Sequence, residues 1–539
     1  MVVPVRRSGF VEGVAMLGAA GLLAKLIGAL YRIPIANVLG AEGSGYYGMV
    51  YPVYSVLAAV SSVGIPTAIS QLVAKNVGAD NVASAAHVFH AARRGLLLIG
   101  AGTAAAVFLL AGPLSALIRE RPATDAFRAI SPAFALVCII SCYRGVLQGC
   151  QNMTPTAVSQ VLEQVGKLGF SLTGTWAVMG AGGSPSAGAA AALGGIACAE
   201  ALSAGYLACA YRKSDAAELL RNAPHCLRSD EWRALRTVIT TAVPVTVGAC
   251  ILPLVFTADA LIDASALQRV GEDARTAAAE VGLLSMNVEP LVNLPTALSS
   301  AIAISIVPAL ALASARENEE ERVEKTQIAA KTSIWIGLPC AAGLALFARP
   351  IIALLFGGLS SAEQHTAGML LRIMSISVFF LTFIQTATGI LQGVGRHLLP
   401  IAALCIGLGI KVFATIALVQ YAGILGAAWA TVLCFGAMAA VDVWFVRRHA
   451  SYPLDVRSQL LGPVAATILL AAAAWGVYSA LRAFQEHFAL ILAVLTGGVV
   501  YLFALCRLGC VQPCDMALLP GGARLARHGR RIGLWKEEK

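Results

Sequence analysis

Gly145-Val146-Leu147-Gln148-Gly149 and Gly389-Ile390-Leu391-Gln392-Gly393 are one phrase written twice, each followed closely by a proline, Pro155 or Pro400. Gln148 and Gln392 are separated by the same interval as Lys167 and Lys411, and a slip of a single residue between these landmarks is later compensated. Toward the start of each copy Pro52 matches Pro290 and Arg94 matches Lys331. Pro113 in Ala-Gly-Pro-Leu likewise matches Pro350 in Ala-Arg-Pro-Ile, at a slightly shorter offset. A repeat of about 240 residues is the mark of a protein built from two duplicated halves.

The repeated material is apolar. Of 539 residues, 58% are hydrophobic and 13% charged, whereas soluble domains carry about 25% charged residues. A membrane-crossing helix needs about 20 mostly apolar residues, and such windows fall at 9–38, 46–75, 88–117, 126–150, 155–181, 186–211, 233–263, 278–313, 327–347, 366–392, 398–420, 423–446, 460–482 and 486–506. The expected fold is an all-α polytopic membrane protein with about 14 transmembrane helices. Two six-helix lobes, 1–212 and 233–449, are joined by a charged linker at 213–232. Helices 13 and 14 occupy 450–507, and a basic tail occupies 508–539. An even number of spans in each half gives both lobes one orientation, related by an axis along the membrane normal.

The net charge of +10 follows topology. Alternating the loops places about 27 of the 39 Lys and Arg on the side of the termini, the positive-inside pattern of a chain with both ends in the cytoplasm. Arg6, Arg7, Arg93, Arg94, Arg212, Lys213, Arg447, Arg448 and the tail arginines Arg524, Arg527, Arg530 and Arg531 then face anionic headgroups. Nucleic acid is not an expected partner, because the basic residues do not gather with aromatics on one face. The 13 cysteines contain no CxxC pair, so neither a disulfide framework nor a zinc site is indicated. Cys506, Cys510 and Cys514 are spaced to share a helix face, as ligands, lipidation sites or simply small apolar residues. The first apolar stretch lacks a small-residue cleavage site and carries Lys25 and Arg32, so it is expected to stay as span 1.

Ionisable groups inside a bilayer cost about 2.5–3.5 kcal/mol each and normally face a protein cavity. The first lobe has Lys25 and Arg32 on span 1, Glu163 and Lys167 on span 5, and Glu200 on span 6. The second has Asp259 and Asp263 on span 7, Glu289 on span 8, Lys411 on span 11 and Asp442 on span 12. Lys25 and Arg32, seven residues apart, would share one face of a continuous helix and line a route for phosphates, although Arg32 could instead snorkel outward. Glu163 and Lys167 are spaced to neutralise each other locally. Lys411 has no such local acid, and its equivalence to Lys167 suggests that each lobe turns one lysine toward a shared cavity. Asp259 and Asp263 suit a counter-charge or cation site, or a surface carboxylate at the helix end. Pro34, Pro52 and Pro66 in spans 1 and 2 and Pro244, Pro253, Pro290 and Pro295 in spans 7 and 8 interrupt corresponding helices, as around a central transport site. No Walker A, HExxH or GxSxG constellation is present, so neither an enzyme nor a cofactor or metal is expected.

Lys25-Leu26-Ile27-Gly28, Tyr31-Arg32-Ile33-Pro34, Leu39-Gly40-Ala41-Glu42-Gly43, Tyr51-Pro52 and Gly64-Ile65-Pro66-Thr67-Ala68-Ile69-Ser70 resemble the polysaccharide-export and stage V sporulation protein B branch of the MOP flippase superfamily. The repeated Gly-x-Leu-Gln-Gly phrase and Ala313-Ser314-Ala315-Arg316-Glu317-Asn318 fit as well, and the layout of twelve spans plus two is similar to that of the MurJ-like lipid II flippases. The resemblance implies a bacterial cytoplasmic membrane protein exporting undecaprenyl-diphosphate-linked sugars, lipid II or a related peptidoglycan or polysaccharide precursor, by alternating access. Its implied partners are that lipid, membrane lipids and possible cell-wall synthesis proteins. It also implies that Lys25 stands where the MurJ branch has a cavity arginine. In span 8 that branch's acid-arginine pair is Glu289-Pro290 here, which favours the sporulation or polysaccharide branch, with Arg32 supplying the missing charge. Lys25, Arg32, Lys167, Lys411 and Glu289 are thus the expected cavity residues, with Glu163, Asp259 and Asp263 as counter-charges or a cation site. A cation-coupled multidrug extruder of the same superfamily and, more distantly, a membrane glycosyltransferase are the alternatives.

Overall fold

The computed structural model describes residues 7–60, 64–221, 231–450 and 457–510. Arg6, Cys514 and the tail arginines lie outside them. The described residues are helical throughout, with no strand. In chain order the helices are α1 (Arg7–Leu30), α2 (Arg32–Ala59), α3 (Ile65–Gly78), α4 (Val82–Leu109), α5 (Ala111–Leu117), α6 (Thr124–Gly149) and α7 (Thr154–Gly166). They continue as α8 (Leu172–Gly180), α9 (Pro185–Arg212), α10 (Asp215–Arg221), α11 (Glu231–Ala249), α12 (Ile251–Arg269), α13 (Ala274–Gly282) and α14 (Glu289–Ala315). The last are α15 (Glu319–Leu346), α16 (Ala348–Leu355), α17 (Ser361–Gly393), α18 (Leu399–Ala422), α19 (Ile424–His449), α20 (Gly462–Leu481) and α21 (Glu486–Arg507). The expected windows lie mainly on helix among the described residues. Among the described residues, 10 helical stretches are long and apolar enough to cross a membrane.

The interrupted spans break where proline dictates. Proline cannot donate to the carbonyl four residues back, and Pro34 follows the break between α1 and α2 at Tyr31, while Pro253 follows the break at Cys250 between α11 and α12. Pro290 follows a π-turn at Leu283–Val288, which absorbs its missing bond. Span 5 carries a second π-turn at Lys167–Ser171. No loop separates spans 1 and 2: the chain turns at Gly40, whose φ of 67° is a backbone state that glycine adopts without a Cβ clash. Within the charged linker Asp215–Arg221 folds as α10, with Ala216 and Leu220 buried.

The repeated glycines prove to be helix contacts. A Cβ on Gly145 or Gly149 would lie 2.6 Å from Ile69 or 2.8 Å from Val73 of α3, and one on Gly389 or Gly393 would lie 2.9 Å from Ala303 or 2.8 Å from Leu310 of α14. Small residues four apart let backbones approach closely where lipid supplies no hydrophobic drive, which gives the duplicated phrase its packing role in each half.

The chain forms two compact units, residues 1–290 with 415–427, and residues 291–414 with 428–539. The division falls inside span 8, away from the linker, because α12 and α13 pack on α2 within the first unit. There a Cβ on Gly45 would come within 1.8 Å of the Ala278 carbonyl oxygen, and one on Gly282 within 2.2 Å of that of Ala41. In the second unit α20 and α21 pack together and against α15. The Tyr501 hydroxyl donates to the Trp335 carbonyl at 2.9 Å. Cys506 is buried and Cys510 half-buried.

Candidate functional site

Lys25 lies on α1 and Arg32 opens α2. Tyr31 between them keeps a helical backbone (φ −65°, ψ −22°) with its N–H donating to the Ile27 carbonyl at 2.9 Å, so the chain stays helical from one cation to the other and only the bond that Pro34 cannot make is missing. Lys25 is exposed, and Arg32 is half-buried with its guanidinium 4.5 Å above the ring of Tyr51. Such a contact contributes about 0.5–1 kcal/mol in water and more when desolvated. Tyr47, Tyr51 and Tyr54 recur at i, i+4 and i+7 and form a ladder along α2. Tyr47 stacks on Tyr51 at 5.4 Å, Tyr51 lies 5.8 Å from Tyr54, and the Tyr31 and Tyr47 hydroxyls are hydrogen-bonded at 2.6 Å.

The ladder ends on a charge cluster sealed inside the first unit. Lys167 Nζ lies 2.7 Å from Glu163 and 3.0 Å from Glu200, and Arg144 Nη2 lies 3.0 Å from Glu163. Arg144 Nε also donates to Ser159 at 3.0 Å, and the Tyr54 hydroxyl donates to Glu200. Two cations therefore alternate with two carboxylates in the order Arg144, Glu163, Lys167, Glu200. Local pairing of Glu163 with Lys167 forms as their spacing predicts. Arg144 escaped sequence reasoning, although its position inside span 4, directly before the first Gly-x-Leu-Gln-Gly, is itself the signal. The matching position in the second half is Thr388.

Lys167 is only 4% exposed. Lys411 is completely buried, with Nζ donating to Thr431 Oγ1 at 2.6 Å. The expectation that both lysines open onto a common cavity differs from this packing: each ammonium is enclosed by helices of its own unit, where desolvation demands nearby partners. Asp442, on α19, is buried in the same unit as Lys411. Asp259, Asp263 and Glu289 are also buried. No group of three or more His, Cys, Asp or Glu among the described residues is arranged to hold a metal ion.

Polar contacts gather at the other end of the first unit, around Gly40. Glu42 accepts from Tyr46 at 3.0 Å and pairs with Arg275 at 3.4 Å. Arg275 is 77% exposed, so the pair adds at most about 1 kcal/mol. Gln268 donates to the enclosed Glu120 at 2.6 Å. Burial pushes the Glu120 carboxyl up to about 7, against the opposing effect of the Gln268 hydrogen bond.

The model of the family described as polysaccharide biosynthesis protein matches residues 10–314, and that described as MatE matches residues 261–416. Lipid II flippase MurJ of Bacillus subtilis (strain 168) is 25% identical over 549 residues, covering 97% of this chain and 99% of the relative. Stage V sporulation protein B of the same organism is 26% identical over 310 residues, covering 56% of this chain and 58% of the relative. Among solved structures, lipid II flippase MurJ in an inward closed conformation superposes with a TM-score of 0.69 at 13% identity, covering 91% of this chain and 98% of that one. Arg32 and its tyrosine ladder, the sealed quartet and the first Gly-x-Leu-Gln-Gly phrase all lie within residues 10–314. The chain is a multi-pass membrane transporter that belongs to the polysaccharide biosynthesis protein family of the MOP superfamily.

Proposed function

We propose that this transporter flips an undecaprenyl-diphosphate-linked oligosaccharide, lipid II or a related cell-wall or polysaccharide precursor, from the cytoplasmic to the outer leaflet by alternating access. The observation that carries the reading is a division among the cations. Lys25 is exposed and Arg32 half-buried, whereas Arg144, Lys167 and Lys411 are enclosed. The accessible pair therefore meets the diphosphate, Arg32 by a two-pronged fork braced on Tyr51 and Lys25 as a point charge. Lys167 and Lys411 act behind it, each holding together helices of its own unit, Lys167 with Glu163 as its counter-charge, while the buried acids Glu289, Asp259 and Asp263 supply further negative charge or a cation site. With both termini in the cytoplasm, an anionic headgroup gains about 2.3 kcal/mol per charge per 100 mV on leaving a negative interior.

Complementation tests this directly. A host depleted of its lipid II flippase and expressing this protein should regain labelled lipid II, or the related lipid-linked sugar, in its outer leaflet. Lys25→Ala and Arg32→Ala should each abolish rescue at unchanged protein level. Full rescue by both variants would refute the assignment of these cations. A second reading, a cation-coupled multidrug extruder, draws on the MatE match and on the buried acids Asp263, within it, and Asp259, just before it. Failure of rescue, together with drug resistance that Asp259→Asn removes, would favour it.

A further inference from the structure

A cavity that neither Arg32 nor its tyrosines line is walled by three elements of the first unit. It has a volume of about 630 Å³, inside the range of small-ligand sites. His90 and Arg93 lie one turn apart on α4, Tyr211 and Arg212 form the end of α9, Lys213 follows it, and Asp215 and Glu218 come from α10. The walls are fixed by packing. Tyr211 lies 5.0 Å from the ring of Phe89 and 5.5 Å from that of Tyr143, and Arg93 is held 5.5 Å above Phe89. Burial of Ala216 and Leu220 fastens α10 against α4 and α9.

The charges of this lining are sorted. Arg93 and Arg212 stand on the long helices with Lys213 directly after one of them, and the two carboxylates stand on α10. α4 and α9 are both of membrane-crossing length, and the cavity sits beside His90 and Arg93, just before the uncharged run 95–110 of α4, and at the end of α9. Its mouth is therefore at the boundary between hydrocarbon and water. A free cytosolic anion would gain from the arginines and lose to the carboxylates. A phosphodiester carrying a hydrogen-bond-donating alcohol or ammonium beyond its phosphate satisfies both sets.

We infer that this cavity binds the headgroup of a membrane glycerophospholipid whose phosphate is followed by a donor group, such as ethanolamine or glycerol. The phosphate meets Arg93, Arg212 and Lys213 with the Tyr211 hydroxyl beside it, and the donor group meets Asp215 and Glu218. Acyl chains then run into the bilayer along α4. The site is independent of the cargo carried.

The test is native mass spectrometry of the delipidated full chain in detergent, titrated with phosphatidylethanolamine, phosphatidylglycerol, phosphatidic acid and inorganic phosphate. Ethanolamine and glycerol lipids should bind at least tenfold more than phosphatidic acid, which lacks the donor group. The triple variant Arg93→Ala, Arg212→Ala, Lys213→Ala should lose that binding at least tenfold. Asp215→Asn with Glu218→Gln, which keeps the packing residues of α10, should narrow the gap between those lipids and phosphatidic acid. Should the triple variant misfold, the Asn/Gln double variant decides alone: an unchanged preference overturns the inference. Equal lipid retention by a folded triple variant, or displacement of lipid by millimolar inorganic phosphate, would also overturn it, the latter marking a small-anion site.

Discussion

Glu163→Gln and Lys167→Met remove neighbouring members of one buried quartet, yet the structure makes their consequences unequal. Glu163 joins Arg144 to Lys167. Replacing it with the neutral, nearly isosteric Gln leaves Lys167 with Glu200, but leaves the guanidinium of Arg144 with no counter-charge from the observed set, its remaining acceptors being the neutral Ser159 hydroxyl and the new amide oxygen. A guanidinium cannot shed its proton, and stranding a buried charge costs about 3–5 kcal/mol. That loss should be the same from pH 5 to pH 8. Lys167→Met instead leaves the Arg144–Glu163 pair intact and strands Glu200, which retains the Tyr54 hydroxyl. A carboxyl can neutralise itself by taking up a proton, at about 3.7 kcal/mol for an ordinary Glu at pH 7 and about 1.4 kcal/mol less for each pH unit below that. The Lys167→Met deficit is therefore capped near that figure at neutral pH, and the cap falls as the pH is lowered toward 5. Denaturant titration in mixed micelles, run at several pH values with secondary structure as the readout, measures both. Equal deficits with equal pH responses, or a Glu163→Gln deficit below about 0.5 kcal/mol, would refute the reasoning that this chain of charges is closed and dry.

Further outcomes follow from other contacts. Gly45→Ala pushes a Cβ onto the Ala278 carbonyl, backbone against backbone, and should destabilise the first unit by about 1–3 kcal/mol in the same titration, whereas Gly102→Ala, which meets nothing, should not. Glu120, raised to about 7, binds a proton in the fold that the unfolded chain gives up near pH 4.3. Its contribution is complete below that value and is lost as pH rises through about 7, so the parent's melting temperature should fall between pH 5 and 8, and Glu120→Gln should remove that part of the slope. Tyr501→Phe deletes the hydrogen bond to the Trp335 carbonyl and should cost about 1 kcal/mol, read as a lower melting temperature with transport retained.

Much of the architecture was legible along the chain because lipid imposes a one-dimensional rule: about 20 apolar residues make a span, and every backbone group must bond within its own helix. The windows, the duplication and the proline breaks follow from that rule, as do the landmarks Gly145, Gly149, Gly389 and Gly393. Charge placement was legible only in part. Spacing along one helix revealed Glu163 with Lys167, but could not reveal that Arg144 on α6 and Glu200 on α9 complete the set. Helical periodicity gives a side chain's direction relative to its own axis and says nothing of what the neighbouring helix offers. The same limit applied to Lys411, whose partner Thr431 lies on the next helix, and to Arg32, which rests on the ring of Tyr51 beyond the turn at Gly40. Sequence alone determined that cations would sit in the membrane and that two halves would carry them. Only tertiary packing decided which of them stay within reach of a substrate and which are neutralised in the dark, because that choice depends on charges brought within 3 Å by helices distant in sequence.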